Sequence, residues 1–193
     1  MSRRRWSSFT SLNANRSGVL PPLLKRQLGQ AFGSNCRVCP VRSPVRLKGR
    51  HVTTHEERVR QSFLKQAFMS TLGAELITVG QGGVEIRLPF SSNLTQQNGY
   101  LHAGAITAVL DSACGYAALT VAADDKEVLT VEFKVNFLAP AAGEVFVARA
   151  QVKRAGQTLT VCTADAFAIS GGREKVVATM LATIIAAPIP PAK

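Results

Sequence analysis

His102-Ala103-Gly104-Ala105-Ile106-Thr107-Ala108-Val109-Leu110-Asp111-Ser112-Ala113-Cys114-Gly115-Tyr116-Ala117-Ala118-Leu119 carries a single formal charge, on Asp111, with the titratable His102 at its start. The stretch is apolar on every side, which predicts a buried helix rather than an amphipathic surface one. Burying an unpaired carboxylate is costly. A chain keeps an acid in such a place when it has a chemical task; a helix-end or ion-paired structural Asp is the alternative.

The 193 residues suit one domain plus an extension. Four cysteines are too few and too scattered for a disulfide framework, and Cys114 and Cys162 fall in apolar runs. No apolar run free of polar breaks reaches the roughly 18 residues of a membrane span. The net charge of +11 is local: residues 1–50 hold 11 Lys and Arg and no acid, whereas 51–193 hold 12 of each sign. The neutral remainder gives no reason to expect nucleic acid as partner of the folded part.

Residues 1–52 are therefore expected to be a disordered basic extension or targeting segment, with the folded domain over 53–193. Arg3-Arg4-Arg5, several Ser and scattered Pro suit a transit peptide, a basic arm or sequence ahead of the true start. A cytoplasmic protein is expected, or a mitochondrial one if residues 1–50 address it there. Cys36-x2-Cys39 and His51-x3-His55 come near a zinc spacing, but the gap between the pairs is one residue short of the usual minimum of about 12. Pro40 and Pro44 also interrupt the hairpin and helix such a site needs, so no metal and no cofactor is expected.

Within the domain, Thr53 and Thr54 ahead of Glu56 and Glu57 offer capping boxes to a helix over Glu57–Thr71, with Val59, Phe63, Ala67 and Phe68 on its buried face. Strands are expected at Ala74–Val79 and Val84–Leu88, joined by Gly80-Gln81-Gly82-Gly83. Phe90–Leu101 is a polar loop, and the buried helix runs from His102 to about Val121. Four strands follow, Val128–Leu138, Glu144–Arg154, Thr158–Ser170 and Glu174–Ala187, the first with Val131, Phe133, Val135 and Phe137 on one face. Their tight links predict antiparallel neighbours. This is an α+β chain in which an antiparallel sheet wraps one long buried helix, with an N-terminal helix outside.

Asn98-Gly99-Tyr100-Leu101-His102-Ala103-Gly104 with Asp111 nine residues after His102, and the strand Leu129 to Pro140, resemble the PaaI-like acyl-CoA thioesterases of the hotdog fold. The resemblance covers about Glu56 to Ala187. It departs at Ala103, where the family has Gly, and at Gln96, where it often has Asn. It implies hydrolysis of acyl-CoA to free acid and CoA, with medium- or long-chain or aryl acyl groups, in a homodimer or homotetramer. Asp111 would be general base or nucleophile, and Thr130 would hold the water. The helix-start N–H of Ala103, with Gly104, would form the oxyanion hole beside His102. Gln96 and Asn98 would orient the substrate, and Lys153, Arg154, Gly156 and Gln157 would receive the nucleotide. Tyr116, Leu110 and Phe68 would line the acyl tunnel or fill core.

Helix geometry adds an independent constraint. Nine residues correspond to about 13 Å along the axis and about 180° around it. His102 and Asp111 of one helix therefore cannot act on one carbonyl, and using both requires two chains. A non-catalytic acyl-CoA-binding regulator is the alternative reading. A dehydratase or hydratase would need a His beside the acid, and His102 is on the wrong face.

Overall fold

The computed structural model describes residues 54–188. Cys36, Cys39 and His51 lie outside them. The Thr54 side chain accepts from the Glu57 N–H, and Glu57 accepts from the Thr54 N–H, closing the expected capping box. The expected single helix is two: α1, His55–Leu64, and α2, Ala67–Leu72. Gln66 between them is extended (φ −81°, ψ 92°). This residue shifts the helical phase, so Val59, Phe63, Met69 and Leu72 are buried and Ala67 and Phe68 are turned outward, against expectation.

The hairpin β1 (Glu75–Gly80) and β2 (Gly83–Pro89) comes next, then the loop and α3, Ala103–Leu119. Strands β3 (Lys126–Phe137), β4 (Val145–Ala155), β5 (Leu159–Ser170) and β6 (Arg173–Pro188) complete one antiparallel sheet, in the order β1-β2-β4-β5-β6-β3. This is the hotdog fold. One expected neighbour relation is corrected: β3 pairs with β6, not β4. The Leu138–Glu144 link is long enough to cross the sheet's end, and it is tied to the helix start where the Leu101 N–H donates to the Ala141 carbonyl at 3.1 Å.

The sheet closes around α3 because both surfaces are small. Ala148, Ala150, Ala164, Ala166, Ala168, Ala178 and Ala182 are buried, as are Ala105, Ala113, Ala117 and Ala118 of the helix. Larger side chains, Leu110, Leu119, Phe146 and Met180, fill the space between. At the helix end the Thr120 hydroxyl donates to the Ala117 carbonyl and accepts the Gly82 N–H, both at 2.7 Å, pinning the first hairpin. On the outer face Arg149 lies 4.4 Å over the Phe167 ring and binds Glu174 and Glu85.

Strand β3 sits at a sheet edge and carries a bulge at Val131, since Thr130 pairs with Ile184 and Glu132 with Thr183. The extra residue flips the alternation. Thr130 shares the inner face with Ile184, and Phe133, Val135 and Phe137 share it with Ala182, Met180 and Ala178. Val131 therefore leaves the row in which the sequence pattern puts it.

Leu110 is fully buried, so it belongs to the core and not to a tunnel wall. Leu110→Ala is expected to lower the unfolding free energy by about 2–5 kcal/mol, measured by urea denaturation.

Candidate active site

Asp111 stands midway along α3, half-buried, so it is not a helix-end residue. No Lys, Arg or His pairs with it among the described residues. Its partner is a hydroxyl: Thr130 Oγ1 donates to Asp111 Oδ1 at 2.7 Å. The Val131 bulge makes this possible by turning Thr130 inward. The second carboxylate oxygen accepts no hydrogen bond among the described residues.

Asp111 opens on a cavity of about 130 Å³, lined also by Ser62, Gln66, Ser112, Gly115, Tyr116 and Thr130. Gln66 reaches it because the chain is not helical at that residue, and its Oε1 accepts from the Ser112 hydroxyl at 3.3 Å. Sequence reasoning missed Gln66, since helical periodicity runs straight through it. Tyr116 packs its ring on Phe63, and burial raises its phenol above the usual value, against a smaller opposing effect of Ser62. A Cβ added at Gly115 would meet nothing within 4 Å, so close packing does not explain this glycine. In a helix interior Gly is about 1 kcal/mol less favourable than Ala.

The helix start faces a second cavity of about 350 Å³, with Gln96, Tyr100, Ala103, Ile106 and Phe137 among its walls. His102 is the N-cap, and its Nδ1 accepts the Gly104 N–H at 2.8 Å. The Gly104 N–H is thus committed, whereas the Ala103 N–H has no acceptor among the described residues. A Cβ on Gly104 would stand 3.0 Å from His102 Nδ1, a tight contact that the capping imidazole would have to yield to. Gln96 lines the cavity, and its side-chain oxygen accepts the Asn98 N–H. Asn98 itself is an exposed turn residue ahead of Gly99, whose φ of 83° is a glycine conformation.

A third cavity of about 240 Å³ adjoins the first at Val128 and brings together Gly156, Gln157 and Lys126. Lys153 and Arg154 lie on the exposed end of β4 and are not part of its wall; Lys126 is a cation that sequence reasoning missed. Gly156 is required there, because a Cβ would stand 2.8 Å from the Leu159 carbonyl oxygen.

A family model described as Thioesterase superfamily matches residues 98–175. A thioesterase family protein of Silicibacter pomeroyi is 52% identical, with 69% of this chain and 98% of that one covered and a TM-score of 0.69. The PaaI protein from the phenylacetic acid degradation operon of E. coli shares the fold at 19% identity and a TM-score of 0.61, over 70% of this chain and 94% of that one. A protein named as an esterase in Saccharolobus solfataricus is 34% identical over 47% of this chain and 64% of its own length. The chain belongs to the thioesterase superfamily and has the hotdog fold. Among the described residues no helix is long and apolar enough to cross a membrane.

Cys114, three residues beyond Asp111, is fully buried, and burial drives its thiol far above the ordinary range; Cys162 is pushed up to about 11 for the same reason. Both therefore stay protonated near neutrality and are poor nucleophiles. Peptide mass spectrometry after iodoacetamide at pH 8 should find positions 114 and 162 unlabelled in the folded protein and labelled after denaturation.

Proposed function

We propose that the protein hydrolyses acyl-CoA thioesters to free acid and CoA. The observation that carries this is Asp111: a carboxylate inside an otherwise uncharged helix, without a cation, held at one oxygen by Thr130 and open to a cavity. As general base it takes a proton from water, whose oxygen attacks the thioester carbon. The C–S bond then breaks, and the proton passes to the leaving thiolate. As nucleophile the same free oxygen would attack the thioester carbon and expel the CoA thiolate, leaving an anhydride that water opens to free acid and the Asp111 carboxylate, its proton passing to the thiolate. Thr130 fixes the carboxylate. Negative charge developing on the thioester oxygen meets the uncommitted Ala103 N–H at the positive end of α3. Gln96 stands beside that N–H with its amide N–H groups available to the carbonyl. The nucleotide enters by the cavity of Gly156, Gln157 and Lys126, with Lys153 and Arg154 at its approach.

The site is completed by a second copy. In one chain the two cavities lie at opposite ends of β3, one at Thr130 and the other at Phe137, roughly 20 Å apart along the strand. Strand β3 exposes Leu129, Val131, Phe133 and Phe137, which a lone edge strand does not tolerate well. Antiparallel pairing of β3 with its copy, centred near Phe133 and Lys134, sets Thr130 opposite the partner's Phe137. Asp111 of one protomer then faces the helix start of its partner. A binding module without turnover is the outcome that would replace this reading.

Asp111→Asn should lower kcat by about 10²–10⁴-fold in a thiol-release assay, with Tm little changed. Thr130→Val should cost roughly 10–100-fold, the value of one hydrogen bond to a charged group. No thiol release by the wild type from any acyl-CoA would refute the proposal.

Ala103→Pro tests the shared site. Proline is accepted at the first helical position, and His102 already has the extended backbone (φ −63°, ψ 138°) that precedes it, so only the N–H is lost. The variant should lose about 10²–10³-fold in kcat. Mixing unfolded Ala103→Pro and Asp111→Asn chains and refolding them together should restore about one quarter of wild-type activity, because half of the two-fold dimers hold one intact site. Absence of any recovery argues for a site within one chain.

A further inference from the structure

We propose that Leu64 and Phe68, at the α1–α2 junction, form a second contact between two copies of this chain, packing against Tyr100 and Leu138 of the partner subunit. The assignment rests on the two-fold pairing of β3 proposed above and names the surface that completes it.

Leu64 is 84% exposed and Phe68 58%, and the extended residue Gln66 stands between them. The phase shift at Gln66 is what turns Phe68 out of the core. A single exposed leucine is ordinary. A leucine and a phenylalanine at one bend are apolar surface of the kind that marks an interaction site.

The bend belongs to the mouth of the Asp111 cavity, because Gln66 at its centre lines that cavity and accepts from Ser112 of α3. A second exposed apolar pair stands at the other end of β3. Tyr100 is on the rim of the helix-start cavity, and Leu138 directly follows Phe137. Within one chain the stretch of β3 from Thr130 to Phe137 separates the two pairs. Pairing of β3 with its copy about Phe133 and Lys134 lays the Thr130 end of one strand beside the Phe137 end of the other. The two-fold axis passes through the sheet, so both copies of α3 stay on the same side of it. The bend packs on α3 and Tyr100 leads into α3, so both pairs stand on that side and meet at each composite site.

Size points the same way. A stable interface takes roughly 20–30 residues from each partner. Strand β3 offers twelve. The remainder has to come from elements flanking β3, and the two pairs are apolar surface left uncovered there. A second copy is thus a partner whose matching surface the β3 pairing already brings into place.

The experiment puts the photo-cross-linker p-benzoylphenylalanine at position 68 or, as a reference, at position 133 of the full chain, and identifies the linked peptides by mass spectrometry. It reads no thioester hydrolysis, so it stands apart from the catalytic reading. Position 68 should give a species of twice the chain mass, linked to the peptide that holds Tyr100 or Leu138. Position 133 should link across the β3 pair. Leu64→Ser combined with Phe68→Ser should raise the dimer dissociation constant about 10–100-fold in sedimentation, as two apolar side chains leave the interface, with the circular dichroism unchanged. Cross-linking at 133 but not at 68, a link from 68 to any other region, or an unchanged dissociation constant overturns the proposal and leaves the β3 dimer standing. Flotation of wild type, and not of the double variant, with phosphatidylglycerol vesicles assigns the pair to a bilayer and also overturns it. A monomeric protein without either cross-link is a different result: it removes the β3 pairing, and this contact with it.

Discussion

The contact on which everything else depends is the close approach of α3 to the concave face of the sheet. Alanines on both surfaces remove the side-chain bulk that would hold a helix away, so the sheet can curl round it. The cost falls on polar groups, which find no water inside such a seam. Thr120 meets that cost by joining the Ala117 carbonyl to the Gly82 N–H. Asp111 meets it differently, being placed where β3 and the α1–α2 junction leave a gap, with one hydroxyl as partner. The tightness of the seam gives way at the acid, which opens on a cavity.

Much of this is written in local sequence. The charge pattern of 102–119 gives the buried helix, alternation gives the strands, and the spacing from His102 to Asp111 gives two chemical ends that one helix cannot bring together. What was not legible depends on single residues that break a period. Val131 breaks the alternation of β3, and only the register of β6 reveals it. Gln66 breaks a helix whose apolar spacing reads as continuous, and no Gly or Pro marks the place. Both irregularities serve the site, one turning Thr130 toward Asp111 and the other delivering an amide to the same cavity. Pairing of β3 with β6 was hidden for another reason: a short link suggests a hairpin, and only the whole sheet decides which edge a strand joins.

The helix start explains how the chain tolerates its departure from the family pattern. At the second position after His102 the imidazole folds back to cap the chain, and a Cβ there would press on its Nδ1 at 3.0 Å. The first needs just its N–H, which alanine supplies as well as glycine. Capping also narrows the chemistry. Nδ1 is occupied as an acceptor, and the Ala103 N–H is left as a free donor of the first turn.

Stability and chemistry pull the edge strand in the same direction. A twelve-residue edge strand with exposed apolar side chains is a liability for an isolated chain, and the bulge at Val131 and the charges of Lys126, Glu127, Glu132 and Lys134 leave Phe133 and Phe137 exposed. The two half-sites lie at opposite ends of that strand, so a two-fold axis through its middle relates each to the other's complement. One pairing would therefore remove the exposed edge and create two composite sites. A dimer formed through any other surface would do neither, since it would leave Asp111 about 12 Å along the axis of α3 from the Ala103 N–H of its own chain.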